Sequence, residues 1–88
     1  MADAALKKKI IDVLKNGYFK DPSDFVDVSD GDDDDVHVVV VSRKFDAKRT
    51  SEKRDLIWSE LTQHLKPDEW AKVSLSVGKS PEEIKAGI

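Results

Sequence analysis

Cysteine is absent from the 88 residues, and this absence excludes disulfides, thiolate metal sites and a cysteine nucleophile. No stretch approaches the roughly 20 consecutive apolar residues that a membrane-spanning helix needs. The first nine residues also lack the apolar core of a signal peptide. The sequence therefore predicts a cytoplasmic protein without membrane contact, and its length predicts a single domain over residues 1–88.

Residues with catalytic chemistry are equally few. The two histidines, His37 and His64, have no neighbours that form a triad, an HExxH motif or a deaminase motif. The four glycines are scattered, so there is neither a phosphate-binding glycine loop nor a GxGxxG motif. We therefore expect a protein that is not an enzyme and that carries no cofactor and no metal site.

The chain is organised around one stretch, Val36 to Arg54. Five of the six residues from Val36 to Val41 are valine, and β-branched side chains favour a strand over a helix. The twelve residues that follow the strand and Ser42 contain six basic and two acidic side chains, a local charge of +4 on a chain of net charge −3. These six residues are the candidate nucleic-acid-binding or partner-binding residues: Arg43, Lys44, Lys48, Arg49, Lys53 and Arg54.

Apolar spacing predicts the elements on either side. A first helix carries its apolar stripe on Leu6, Ile10, Val13 and Leu14 and ends at Asn16-Gly17. A short strand follows from Phe25 to Ser29, and an aspartate-rich hairpin loop joins it to the valine strand.

Three further elements follow the basic segment. A helix capped by Thr50 or Ser51 presents a core line that contains Ile57, Leu61 and Leu65. Trp70 to Val77 alternates as a strand, with an inward face predicted for Val73, Leu75 and Val77. Ser80-Pro81-Glu82-Glu83 has the serine cap, proline and glutamate of a helix start.

The predicted order of elements is therefore helix, strand, strand, helix, strand, helix. This order favours an α+β two-layer sandwich, in which helices cover one face of a three-stranded sheet. The valine strand is expected at the centre of that sheet.

The loop before the valine strand is strongly acidic. Asp21 to Asp35 contains eight aspartates and no basic residue, so this end of the molecule should repel nucleic acid. Asp30-Gly31 and the four aspartates Asp32 to Asp35 lack the alternating ligands and distal glutamate of an EF-hand. We therefore predict no specific calcium site here.

Several short motifs, taken together, resemble the BolA family. They are an apolar strand that ends in valine and serine, a Phe-acid-small-Lys turn, a helix with paired basic and paired apolar residues, and a last strand that leads into a Ser-Pro-Glu-Glu helix start. In this sequence they are Val38–Ser42, Phe45–Lys48, Lys53-Arg54 with Leu56-Ile57, Val73–Leu75 and Ser80–Glu83; upstream, Phe25–Gly31 resembles the first strand of the family and its acidic turn. The resemblance implies a class II KH-like fold. It also implies a role either in iron–sulfur cluster partnership with monothiol glutaredoxins or in DNA-associated stress regulation and transcription.

The chain departs from the family at its metal ligands. By spacing, the cluster-binding histidine of the family falls at Ala71, and the histidine of its helix falls at Arg54. The loop position that often supplies a further ligand falls within Asp32 to Asp35, where hard carboxylates suit an iron–sulfur cluster poorly.

Three functions are consistent with these observations. The first is a regulatory adaptor that acts through protein interaction without metal ligands of its own. The second is a KH-like nucleic-acid-binding module that uses the basic residues between Arg43 and Arg54, although a Gly-x-x-Gly loop is absent. The third is partnership with a monothiol glutaredoxin in iron–sulfur cluster handling.

Overall fold

The valine run forms the middle strand of a three-stranded sheet. A computed structural model of the protein describes residues 4–32 and 34–85. In chain order its elements are α1 (Ala4–Asn16), β1 (Phe25–Asp30), β2 (Val36–Val41), a 3₁₀ helix (Arg43–Phe45), α2 (Thr50–His64), α3 (Pro67–Trp70), β3 (Val73–Lys79) and α4 (Pro81–Lys85). Among these residues no helix is both long enough and apolar enough to cross a bilayer.

Sheet topology follows from the lengths of the connections. The short loop after β1 makes β1 and β2 an antiparallel hairpin, whereas the long connection through α2 allows β3 to pair in parallel with β2. The strand order is β1-β2-β3, with β2 in the centre. The predicted α+β sandwich and its order of elements are confirmed, with two one-turn helices added: the 3₁₀ helix and α3.

The core lies between one face of the sheet and the two long helices. Val36, Val38 and Val40 alternate along β2 and are fully buried, which stabilises the fold by about 1.5–3 kcal/mol for each side chain. α1 packs against β1 and α2 packs against β3. The helices contribute the residues that their spacing predicted: Leu6, Ile10 and Leu14 from α1, Ile57 and Leu61 from α2, and Leu65 just after it.

The predicted inward face of β3 is wrong beyond its first residue. Val73 pairs with Val36 and is buried, but the next residue of β2, His37, pairs with Leu75. One extra residue on β3 therefore forms a β-bulge, and a one-residue shift moves every later side chain to the opposite face. Leu75 and Val77 consequently point away from the helices.

Two boundaries also differ from the prediction. Pro67 opens α3, which extends to Trp70, so β3 begins at Val73 and not at Trp70. The N-cap of α2 is Arg49, and neither Thr50 nor Ser51 takes this position. Glu52 accounts for this start, because its Oε1 accepts the backbone N–H of Arg49 at 2.9 Å.

Two alanine substitutions on the core face of β3 should differ in their effect on stability. A Cβ on Gly78 would lie 2.9 Å from the Cβ of Lys53 and 3.0 Å from the ring of Phe45, so Gly78→Ala should lower the free energy of unfolding by about 1–3 kcal/mol. The Oγ of Ser76 is buried without a hydrogen-bond partner among the described residues, so Ser76→Ala should leave stability unchanged or raise it. Urea denaturation of both variants checks the pair, and equal effects would contradict the bulged register.

Candidate partner-binding surface

The basic segment begins at a turn that is fixed from inside the protein. Ser42 is buried; its Oγ donates to Oδ1 of Asp24 at 2.8 Å and accepts the backbone N–H of Lys44 at 3.1 Å. Phe45 is fully buried, and its ring centroid lies 5.4 Å from that of Phe19. These contacts hold the 3₁₀ helix against the core.

A left-handed residue then redirects the chain towards α2. Ala47 has a φ of 60°, which costs an L-residue roughly 1–2 kcal/mol. Two backbone hydrogen bonds surround it: the N–H of Asp46 donates to the carbonyl of Arg43 at 3.0 Å, and the N–H of Lys48 donates to that of Phe45 at 3.2 Å. The basic segment is therefore a defined turn and not an extended arm.

Lys44 is used within the fold. Its ammonium donates to the backbone carbonyl of Tyr18 and lies 4.5 Å from the centroid of the Tyr18 ring. It is also 3.8 Å from Oδ2 of Asp24, a carboxylate that is 2% exposed. This lysine therefore offsets the charge of a buried aspartate and joins the α1–β1 connection to the turn after β2.

Lys53 is also used within the fold. Its side chain is 7% exposed, and its ammonium forms an ion pair with the carboxylate of Glu83 in α4. Glu83 also accepts the backbone N–H of Ser80 at 2.9 Å, and the Oγ of Ser80 accepts the N–H of Glu83 at 3.3 Å, which confirms the predicted helix start. The Lys53 ammonium and the Ser80 N–H together lower the pKa of Glu83 from 4.5 to about 2.

The burial of Lys53 had a signal in the sequence. Lys53, Ile57, Leu61 and Leu65 are four residues apart, so the lysine stands at the first position of the core line of α2. The local count of six basic residues conceals this position, because a count takes no account of which helix face each side chain occupies.

Four basic residues of the segment remain available to a partner. Arg43, Arg49 and Arg54 are exposed, and Lys48 is half-buried. We call these four residues the exposed basic surface. Asp46 and Glu52 lie within the same segment, so the four cations and two acids leave a net charge of +2, half of what the sequence count indicated.

A shallow groove borders this surface where the 3₁₀ helix meets α4. It has a volume of about 420 Å³ and is lined by Arg43, Asp46, Pro81, Glu82 and Lys85. Charges of both signs line it, so the groove suits a polar protein segment better than a chain of phosphates.

The described residues do not fit an iron–sulfur cluster. Ala71, at the position where the resemblance places a histidine, has no ligand atom and follows α3 as an exposed residue. Within residues 4–32 and 34–85 no three His, Cys, Asp or Glu side chains converge on a point that could hold a metal ion. Asp33, in the aspartate loop, lies outside the described residues. His37 is half-buried on β2, and His64 is exposed at the end of α2.

Comparison with known proteins provides no family assignment. The chain matches no family model, no curated protein and no solved structure.

The Lys53–Glu83 pair should appear in the acid dependence of stability. Because the folded pKa of Glu83 lies below its unfolded value of 4.5, its stabilisation is complete above pH 4.5 and is lost as the pH falls towards 2. Glu83→Gln should therefore lower stability at neutral pH and flatten the loss between pH 4.5 and 2. Urea midpoints measured across this range check the prediction.

Glu82→Gln is the matched control, because Glu82 is the exposed neighbour in the same helix. It should retain the acid dependence of the parent protein. Asp21 and Glu69, whose pKa values are lowered by backbone N–H donors of Ser23 and Lys66, should leave a residual slope in every variant. If Glu83→Gln and Glu82→Gln behave alike, the pair does not stabilise the fold.

Proposed function

We propose that this protein is a non-enzymatic adaptor that binds an acidic segment of a partner protein through the exposed basic surface. The observation that carries the proposal is the division of the six basic residues. Lys44 and Lys53 neutralise Asp24 and Glu83, and Arg43, Lys48, Arg49 and Arg54 remain. Arg43, Lys48 and Arg49 lie on a turn that its own hydrogen bonds hold in place, and Arg54 follows in the second turn of α2.

The charge balance favours a protein partner over nucleic acid. Each phosphate that a protein neutralises adds about 0.9 to the salt slope of binding to duplex DNA, so four cations support a slope of at most about 3.6. Two acidic side chains lie among the four cations, and the whole chain carries a net charge of −3. A duplex has a fixed row of phosphates, some of which would face these acids, whereas a short flexible peptide can place its carboxylates against the cations.

Nucleic-acid binding is the second candidate. The feature that favours it is the position of Arg49 at the N-cap of α2, a fifteen-residue helix whose positive dipole end attracts anions. The carboxylate of Glu52 already accepts the N–H of Arg49 at this end, which reduces the space and the charge available to a phosphate.

The resemblance to the BolA family makes a monothiol glutaredoxin one candidate partner. In that case we propose a contact between protein surfaces in which this chain supplies no cluster ligand. The absence of a ligand atom at Ala71 supports this version of the interaction.

Binding of two labelled probes tests the proposal. We expect a fluorescent peptide of six alternating Asp and Glu residues to bind more tightly than a 20-base-pair duplex at equal salt, as measured by anisotropy. Lys48→Ala/Arg49→Ala should weaken peptide binding by roughly fivefold or more, because two of the four cations of the exposed basic surface are removed.

Lys8→Ala/Lys20→Ala is the matched control, because it removes two exposed lysines outside the surface and should change peptide affinity little. Equal losses in the two double variants would show that only net charge matters and would contradict a defined surface. Tighter binding of the duplex, with a salt slope that falls in Lys48→Ala/Arg49→Ala, would favour the nucleic-acid function instead.

A further inference from the structure

The sheet face opposite α1 and α2 is largely apolar. Its nine residues form three rows across the strands, and we call them the open sheet face. In the order β1, β2, β3 the rows are Phe25–Val41–Lys79, Asp27–Val39–Val77 and Ser29–His37–Leu75. The bulge in β3 places Leu75 and Val77 in these rows.

Large apolar side chains are exposed here. Phe25 is 55% exposed and Leu75 is 46% exposed, at opposite corners of the face, and the three valines between them are only half-buried. A strand that is apolar on both faces, as β2 is, is typical of a strand buried on both sides. The described helices α1 and α2 bury only one side of β2. We therefore expect a second layer of protein to cover the other side.

The two opposite charges of the open sheet face indicate what that layer is. The acidic and basic residues among its nine positions are Asp27 on β1 and Lys79 on β3, which are the two edge strands. Neither has an ion-pair partner among the described residues. The face therefore carries one charge of each sign on opposite sides of an apolar centre.

We propose that the open sheet face packs against the same face of a second copy of this chain. A two-fold axis parallel to the strands places β2 on β2 and β1 of each copy over β3 of the other. Lys79 of each copy then lies over β1 of the other, where its long side chain reaches Asp27, so that two equivalent ion pairs flank a layer of valines. Packing of two sheets with nearly aligned strands, about 10 Å apart, is one of the two common arrangements.

The alternative axis is disfavoured by the same charges. A two-fold axis perpendicular to the strands, within the plane of the face, places Asp27 of one copy over Asp27 of the other. Like charges at a dry contact are repulsive and lower affinity. The charge arrangement thus selects one orientation of the second copy.

The size of the face sets the strength of the association. Three strands about 4.8 Å apart and six residues long cover about 14 by 20 Å, an area of about 280 Å². This area is smaller than the roughly 800 Å² that each partner contributes to a standard interface. We therefore expect a weak dimer with a dissociation constant on the order of 10⁻⁴ M.

Charge exchange within the full chain tests the inference. Sedimentation velocity of the unaltered protein from about 10 μM to about 1 mM should show a sedimentation coefficient that rises with concentration. Asp27→Lys and Lys79→Asp should each weaken the dimer at least about tenfold, because each places like charges in both pairs. The double variant Asp27→Lys/Lys79→Asp restores opposite charges and should recover the affinity of the parent protein.

Leu75→Ser provides a measurement that does not depend on charge. It removes an exposed apolar side chain and should weaken the dimer while leaving the urea midpoint of the dilute monomer little changed. A protein that stays monomeric to about 1 mM would overturn the inference. Association that is unaffected by the single variants, or that is not restored in the double variant, would assign self-association to another surface and would also overturn it.

Discussion

Burial of alternate valines along β2 is the constraint on which the rest of the structure depends. Val36, Val38 and Val40 are fully buried in the core. α1 packs against one edge strand, β1, and α2 packs against the other, β3. Because side chains alternate along a strand, the same burial sends His37, Val39 and Val41 to the opposite face. The core and the open sheet face therefore both result from the alternation of side chains along β2, in which five of the six residues are valine.

The turn after β2 shows how a charged segment can be partly structural. Ser42 and Phe45, which follow β2, are buried. Lys44 and Lys53 form ion pairs with the carboxylates of Asp24 and Glu83. An unpaired buried charge is costly, and each pair contains one: the carboxylate of Asp24 in the first and the ammonium of Lys53 in the second. Both ion pairs therefore offset a cost of burial. The other four cations of the segment are exposed or half-buried, and the small net charge that they leave is the physical reason why we propose a protein segment and not a nucleic acid as the partner.

Sequence periodicity predicted the elements whose apolar residues lie in a single continuous pattern. The spacing of Leu6, Ile10 and Leu14 predicted α1, and the valine run predicted the central strand. The inward face of β3 was not predictable in the same way, because Val73, Leu75 and Val77 alternate without interruption and the bulge depends on pairing with β2. The internal role of Lys44 was equally hidden, since Tyr18 and Asp24 are about twenty or more residues away in sequence. The internal role of Lys53, in contrast, was predictable, because Lys53 lies four residues before Ile57 on the core line of α2.

The basic segment is divided between two lysines that are paired inside the fold, Lys44 and Lys53, and four cations without such a role. Lysine acetylation of the native protein, followed over time by peptide mass spectrometry, measures this division directly. We expect Lys53 to react far more slowly than Lys48, Lys44 to react at an intermediate rate, and Lys8 and Lys20 to react fastest. Reaction of Lys53 at the rate of Lys48 would contradict this division of the basic residues.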